Sequence, residues 1–358
     1  MAESSFISYS PHEIIDEFVD IFIWNTTAVA RGMKRVVPML WGPTAVGKSE
    51  IIQQALARAG IPVDKQFQFR TATKEPIDLN GNPYIDRSTE IAGSATAPPI
   101  TLPIDPQRWN GNCAMIWDEI NQGDAAMQAA CYQPILEYKI GNLPFIDTVQ
   151  FVAMGNRIED RGNATDMPQP LKTRLRHYMI EPNMGDWIKW AFQQDINPMI
   201  IAFLRTFPQY FYNMDYDGYA SPSPRTWEML SNALQMGNND KRVFMTSQSC
   251  VGPAAASAFE GFVKDYDSIP DIDNEILANP GSAKIPTGSV LYALCVALAR
   301  RADKTNFGTI LRYASRLDSE YQILLVRDVA AAHPQLQNTP EFQDWAIKNA
   351  AVILYWLQ

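Results

Sequence analysis

The feature that most constrains this chain is the octapeptide GPTAVGKS at residues 42–49, which directly follows an apolar run at residues 36–41. It fits the pattern G-x(4)-G-K-[ST], which needs a strand before it and a helix after it. The apolar run predicts the strand, and we expect the helix over residues 49–59. Glycines let successive backbone N–H groups turn inward around an anion, and the helix adds the positive end of its dipole. The octapeptide therefore predicts a phosphate-binding loop on an α/β fold.

We assign every position of this loop to nucleotide binding: Gly42, Pro43, Thr44, Ala45, Val46, Gly47, Lys48 and Ser49. Lys48 is expected to reach the β- and γ-phosphates, and the Ser49 hydroxyl is expected to ligate Mg²⁺. A chance match to the bare pattern is the alternative. The predicted strand and helix on either side argue against it, so the predicted ligands are ATP and Mg²⁺.

A second apolar run, at residues 113–118, ends in two adjacent acids, Asp118 and Glu119. A carboxylate at the tip of a buried strand beside the loop can hold Mg²⁺, and the next one can orient or deprotonate the attacking water. We assign the metal to Asp118 and the base to Glu119. The plain alternative is a surface acid pair at a strand end. The second acid favours hydrolysis of ATP over phosphoryl transfer to a small molecule.

The order of elements along the chain predicts a parallel sheet with crossover helices, followed by helices alone. We expect strands at residues 36–41, 65–71, 113–118, 149–154 and 177–181, with a helix over residues 124–138. The connection at residues 79–110 has no clear structure, and a helical spacing of apolar residues dominates after Pro182. We predict three parts: an α/β nucleotide-binding core (residues 1–182), a helical lid (183–265) and a helical C-terminal extension (266–358).

Composition limits the possible surroundings and partners. The chain has 358 residues and a net charge of −9, so non-specific binding to nucleic acid is not expected. No apolar run reaches about 18 residues, which predicts no membrane span. The four cysteines show no CxxC spacing, and three of them lie in runs of apolar or small residues. We expect these three to be buried free thiols. A reducing cytoplasm is the expected compartment.

Three later segments complete a pattern. The segment that ends the strand predicted at residues 149–154 finishes in the amide of Asn156. An arginine-containing stretch at residues 168–176 precedes the last strand, and Arg225 opens a helix after Pro224. In this order, behind the loop and the acid pair, they resemble the AAA+ ATPases, and most closely their MoxR-like branch. The resemblance covers roughly residues 35–237 and implies a P-loop AAA+ core with an all-α lid.

The resemblance also implies roles for these residues. Asn156 corresponds to the polar residue that helps place the attacking water, and Arg225 to an arginine that contacts the nucleotide in cis. Arg174 corresponds best to the finger that reaches the neighbouring subunit's nucleotide. It lies in Thr-Arg-Leu where the family usually has Asp-Arg-Phe, so Arg176 remains a rival. The plain alternatives are a cap after the strand for Asn156, a solvated basic stretch for the two arginines, and an ordinary first-turn residue for Arg225.

As a whole, the resemblance implies a ring, expected to be a hexamer, that remodels a protein partner as a chaperone would. Such relatives often work with a von Willebrand factor A domain protein. Two smaller segments also match: Asp78-Leu-Asn-Gly81 resembles the family's Asp-Leu-Xaa-Gly, and residues 139–148 lie where MoxR-like proteins carry a hairpin insert. The alternative function is a DNA-associated ATPase of the helicase-loader or translocase type. A nucleotide switch with slow turnover is disfavoured by the intact acid pair.

Overall fold

The computed structural model describes residues 7–87, 93–160, 165–235, 240–266 and 269–350. The chain divides into two compact units, Met1–Asn183 and Met184–Gln358. The first unit has a mixed α/β fold, a parallel six-stranded sheet flanked by helices. Every strand in the described residues belongs to this unit, and the second unit is helical.

The strands of the first unit are, in chain order, β1 (Ser8–Tyr9), β2 (Pro38–Trp41), β3 (Gln66–Arg70), β4 (Asn82–Asp86), β5 (Gly93–Ala97), β6 (Cys113–Asp118), β7 (Lys139–Ile140), β8 (Leu143–Pro144), β9 (Val149–Gly155) and β10 (Arg176–Ile180). The main sheet has the order β1-β10-β2-β9-β6-β3, and all neighbouring strands in it are parallel. The pairs β4-β5 and β7-β8 are separate antiparallel hairpins.

The helices of the first unit are α1 (Pro11–Ala30), α2 (Lys48–Arg58), α3 (Pro76–Asn80), α4 (Ala125–Ala130), α5 (Tyr132–Glu137) and α6 (Gln169–Lys172). The first helix begins with a capping box: the Glu13 N–H donates to Ser10 Oγ, and the Ser10 N–H donates to Glu13 Oε2 over 2.8 Å. These bonds to Ser10 lower the pKa of Glu13.

The five predicted strands are present within one or two residues of the expected bounds. The expected helix over residues 124–138 is two short helices instead, α4 and α5. Pro134 has no N–H to donate to the carbonyl of Ala130, so a continuous helix is interrupted there. The connection at residues 79–110, which gave no clear pattern, contains the hairpin β4-β5.

Helices on both faces bury the centre of the main sheet. Every residue of β6 and β9 is buried, as expected for parallel strands covered on two sides. Alternate side chains enter two clusters: Leu40 and Ile116 pack in the same cluster as Ile52 of α2, while Met39 and Trp117 belong to the other. This packing fixes the carboxyl ends of β2, β9 and β6, where the candidate residues lie.

The second unit consists of α7 (Met184–Gln193), α8 (Pro198–Thr206), α9 (Pro224–Gln235), α10 (Asp240–Val251), α11 (Pro253–Tyr266), a π-helix (Ile272–Leu277), α12 (Ser289–Arg301), α13 (Phe307–Ala314), α14 (Ser319–Ala332) and α15 (Pro340–Lys348). One buried cluster runs from Trp187 to Leu336. Arg205 and Asp328 form an ion pair with 5% and 2% of their side chains exposed.

Some predictions for this unit remain open. The core of the unit takes residues from both the predicted lid and the predicted extension, and the division between them at residue 265 stays a prediction. The predicted C-terminal extension covers residues 266–358, of which residues 351–358 lie outside the described part of the chain. None of the helices in the described ranges combines the length and apolar character needed to cross a bilayer.

Candidate functional site

The phosphate-binding loop lies between β2 and α2, as its pattern requires. Gly47 and Ala45 have positive φ angles of 98° and 62°, which curl the backbone between strand and helix. Gly47 adopts this conformation at little cost because glycine has no Cβ. At Gly42 a Cβ would lie 2.9 Å from the carbonyl oxygen of Ile180, so β10 approaches the start of the loop closely. The strand, loop and helix predicted at residues 36–59 are all present.

The ammonium group of Lys48 turns back over this loop. Its Nζ donates to the carbonyl oxygens of Gly42 and Pro43 over 2.7 and 2.8 Å, and to Asn156 Oδ1 over 2.7 Å. Ser49 Oγ contacts Met154 Sδ at 3.7 Å, a weak interaction. The positive charge of Lys48 is therefore held at the loop, where an anion bound by the loop's N–H groups would meet it.

The sheet order explains why Asn156 meets Lys48. Strand β9 lies between β2 and β6, so the residue that follows β9 lies between the loop and the acid pair. The loop is also tied to β9 directly, since the Gly42 N–H donates to the Gly155 carbonyl over 3.4 Å. Asn156 is 8% exposed. The structure thus brings two sequence-predicted residues, Lys48 and Asn156, into direct contact.

The acid pair lies at the end of β6 and contacts a residue that sequence reasoning missed. Asp118, 7% exposed, accepts hydrogen bonds at Oδ2 from Gln68 Nε2 (2.6 Å) and Arg70 Nε (3.0 Å). Arg70 Nε also lies 3.6 Å from Glu119 Oε2. The hydrogen bond to Asp118 raises the pKa of Arg70. Arg70 ends β3 and is paired in register with Asp118, and its position at the end of a predicted strand was the available signal.

The turn after Asp118 has an unusual backbone that a buried hydroxyl holds in place. Glu119 has φ of 52°, a conformation that non-glycine residues seldom adopt. Thr71, 1% exposed, donates from Oγ1 to the carbonyl oxygens of Asp118 (3.2 Å) and Glu119 (2.6 Å). The position of the predicted base is therefore set by its own backbone and by Thr71.

Oxygen ligands suitable for Mg²⁺ are present in Ser49 and Asp118. Both hydrogen bonds to Asp118 reach Oδ2, and Oδ1 receives none from the described residues. Mg²⁺ is commonly held by one or two carboxylates together with substrate phosphates, rather than by a cage of protein ligands alone. In the described ranges no group of three or more His, Cys, Asp or Glu side chains could hold a metal ion. The residues thus fit a metal ion that arrives with a nucleotide.

The two candidate finger arginines differ in their partners. Arg176 Nη2 lies 2.9 Å from Glu17 Oε1, so its charge is already paired. Arg174 donates to the Pro170 carbonyl, and its buried Nε has no hydrogen-bond partner. The described residues offer Arg174 no ion pair with an acid, although its guanidinium lies 5.4 Å from the ring centre of Tyr132.

Arg225 belongs to the second unit, where it is exposed in the first turn of α9. The start of this helix is held by Ser223 and Thr226: the Ser223 N–H donates to Thr226 Oγ1 over 2.8 Å, and the Thr226 N–H donates to Ser223 Oγ over 3.3 Å. Arg225 forms no hydrogen bond or ion pair within the described part of the chain. Its contact with a nucleotide stays a prediction.

The smaller matched segments have local structural roles. Asp78 accepts from the Glu75 N–H over 3.0 Å and closes the first turn of α3. Gly81 has φ of 82°, and a Cβ there would lie 2.1 Å from the Ala97 carbonyl oxygen, so only glycine fits. Residues 139–148 contain the short hairpin β7-β8.

Neither a protein-family model nor a curated protein sequence matches this chain. Solved structures do match over most of its length. NtrX from Brucella abortus in complex with ADP shares 14% identity, with 93% of this chain and 69% of that chain covered and a TM-score of 0.41. A mutant of Thermotoga maritima RuvB shares 12% identity, with 93% and 88% covered and a TM-score of 0.33. The T. maritima RuvB Holliday junction branch migration motor shares 14% identity, with 94% and 87% covered and a TM-score of 0.33. At such low identities and TM-scores, function has to be inferred from the side chains of the site itself.

Proposed function

We propose that this chain is a Mg²⁺-dependent ATPase of the AAA+ class that resembles the MoxR-like branch. The observation that carries the proposal is the 2.7 Å contact between Lys48 Nζ and Asn156 Oδ1. It joins the cation of the phosphate loop to a strand-end amide beside the acid pair. A phosphate loop alone supports only nucleotide binding, whereas a loop, an amide and two acids together are suited to hydrolysis.

Each residue then has a separate task in hydrolysis. The N–H groups of the loop bind the phosphates, and Lys48 stabilises the charge of the transferred phosphoryl group. Ser49 and Asp118 would hold Mg²⁺, which when bound neutralises charge on the phosphate oxygens. Glu119 accepts a proton from the attacking water, and the Asn156 amide orients that water.

The rest of the proposal concerns assembly. We assign the finger to Arg174, because Glu17 already pairs with Arg176, whereas Arg174 forms no ion pair in the described residues and interacts with Glu137 only at longer range. Arg225 would contact the nucleotide in cis. Such a shared site implies a ring, expected to be a hexamer, that acts on a protein in the cytoplasm. A partner with a von Willebrand factor A domain remains part of the proposal.

The shared site can be tested by mixing two inactive variants, Glu119→Gln and Arg174→Ala. In a mixed ring some sites combine the loop of an Arg174→Ala subunit, which keeps Glu119, with the finger of a Glu119→Gln subunit, which keeps Arg174. Such sites contain every residue that hydrolysis requires. Random mixing makes about a quarter of the sites intact, so ATP turnover should return to about that fraction of wild type. Arg176→Ala alone should keep turnover close to wild type.

Two results would contradict parts of this proposal. If both variants assemble with each other but the mixture stays inactive, the site is not shared in this way. If DNA, but no protein, stimulates turnover of the wild type, the DNA-associated alternative replaces the protein remodeller.

A further inference from the structure

One buried side chain, Asn121, links the acid turn to the end of β9 and has no role in the site as described so far. Asn121 follows Glu119 by two residues and is 1% exposed. Its Nδ2 donates to the carbonyl oxygen of Asn156 over 2.8 Å and to that of Thr165 over 3.3 Å. The backbone carbonyl oxygen of Asn121 accepts a hydrogen bond from Thr165 Oγ1 over 2.6 Å. A single amide thus connects three separate segments of the chain.

The burial of the Asn121 amide is only partly compensated by hydrogen bonds. Asn121 Oδ1 is buried and has no hydrogen-bond partner. It lies against the backbone of Gly155, where a Cβ would come within 2.4 Å of it. An apolar side chain in this place would avoid the cost of an unpaired buried oxygen. The benefit of asparagine therefore lies in the two hydrogen bonds that Nδ2 donates.

These bonds bear on the geometry of the two residues that handle water. Asn121 holds the peptide group of Asn156, and the turn that contains Asn121 also carries Glu119. The Gln122 N–H donates to the Glu119 carbonyl over 2.8 Å, and the Ile120 N–H donates to the Met154 carbonyl over 3.2 Å, so the turn is firmly held against β9. A displacement of about 1 Å between reacting groups is enough to slow an enzymatic step strongly.

We propose that Asn121 is a positioning residue that fixes the Asn156 amide relative to the Glu119 carboxylate. The inference rests on the proposed ATPase function, because it concerns the orientation of the attacking water. Nucleotide binding depends on the loop, which Asn121 does not contact through any hydrogen bond of its own. Loss of Asn121 therefore affects the chemical step and leaves binding nearly unchanged.

The test compares Asn121→Ala and Asn121→Asp with the wild type, and the measured quantities are kcat, KM for ATP and the Kd of ADP. Asn121→Asp keeps the shape of the side chain but removes both donors. We expect kcat to fall at least about tenfold in both variants, with KM and Kd within about threefold of wild type. A folded Asn121→Ala protein with wild-type kcat overturns the inference.

The matched control is Asn25, an equally buried asparagine of the same unit. Its side chain bonds to both backbone groups of Val36 and to Gln150 Oε1, away from the site. Asn25→Ala should lower Tm but leave kcat within about twofold of wild type. If Asn25→Ala lowers kcat as much as Asn121→Ala does, the effect is general destabilisation and the inference fails.

A second variant covers the case in which Asn121→Ala does not fold. In Gly155→Ala the new Cβ would lie 2.4 Å from Asn121 Oδ1 and would displace the amide. We therefore expect kcat to fall with little change in KM. In a folded double variant, Asn121→Ala removes the oxygen that obstructs the new Cβ and leaves only the flexible end of Met39, at 2.9 Å. Gly155→Ala should then add little further loss of kcat. Wild-type kcat in Gly155→Ala contradicts the inference. A wild type without ATP turnover overturns the proposed function as well, whereas wild-type turnover with unaffected variants overturns only the role of Asn121.

Discussion

The contact between Lys48 and Asn156 yields a prediction about charge. Asn156→Asp keeps the shape of the side chain but places a carboxylate where Oδ1 now accepts from Lys48 Nζ at 2.7 Å. The new carboxylate would compete with nucleotide phosphates for the same ammonium group. Asn156→Ala instead removes the hydrogen bond that the uncharged amide accepts from Lys48, adds no charge, and leaves the ammonium group available. The two variants should therefore differ in nucleotide affinity.

The expected change in nucleotide affinity follows from the distance between Lys48 Nζ and the side chain of residue 156, and from the burial of that side chain. Two unit charges at about 3 Å interact by roughly 5–6 kcal/mol at an effective dielectric constant near 20. Desolvation at a site where Asn156 is only 8% exposed offsets part of this attraction. The remaining attraction between Lys48 and the new carboxylate is about 2–3 kcal/mol, typical of a hydrogen bond to a charged group. A nucleotide has to overcome this attraction, so the Kd of ADP should rise roughly 30- to 150-fold.

The assay is a titration with ADP, followed by calorimetry or by a fluorescent nucleotide. Asn156→Ala should bind ADP within about threefold of wild type, because it adds no charge. A matched control is Asn110→Asp, which makes the same change at an exposed asparagine whose Oδ1 now accepts a hydrogen bond from Lys65 Nζ over 3.2 Å. That control should leave the Kd within about twofold. An unchanged Kd in Asn156→Asp would refute the idea that Lys48 serves the phosphates.

Three further predictions concern charge and stability. Arg70→Ala should lower the Mg²⁺ concentration needed for half-maximal nucleotide binding about two- to fivefold, because a half-exposed competing cation is removed; a higher requirement in a Mg²⁺ titration would contradict it. Asp328→Ala leaves the buried Arg205 unpaired and should lower the free energy of unfolding by about 3–5 kcal/mol. Calorimetry should then show a Tm lower by roughly 6–20 °C, and a decrease below about 3 °C would disagree with this prediction. Glu13→Gln should reduce stability at neutral pH, because the hydrogen bonds from Ser10 lower the pKa of Glu13. That contribution is complete above the ordinary glutamate pKa and disappears as the pH falls through the lowered one, so urea curves of variant and wild type should converge once the pH lies below the lowered pKa of Glu13. A difference independent of pH would count against this explanation.

The sequence was most informative where a local pattern requires one backbone geometry. The loop at residues 42–49 and the buried runs that became β6 and β9 were predicted because glycine positions and apolar runs are local signals. The hairpin β4-β5 was missed because Gly93–Ala97 is built mostly of small, exposed residues without an alternating pattern.

Contacts within the site depend on strand pairing, which no local pattern reveals. Arg70 meets Asp118 because β3 and β6 pair in that register. Asn121 reaches Asn156 because β9 lies beside β6. The sequence therefore identified the acids and the strand-end amide but not the residues that hold them.

The most direct test of the central claim is the steady-state turnover of saturating Mg²⁺-ATP by wild type and by Glu119→Gln, with ATP binding measured on the same samples. The wild type should hydrolyse ATP. The variant should bind ATP within about threefold of wild type and turn it over about 10²- to 10⁴-fold more slowly, the usual contribution of a general base. Turnover by Glu119→Gln at the wild-type rate, or no turnover by the wild type, would contradict the account.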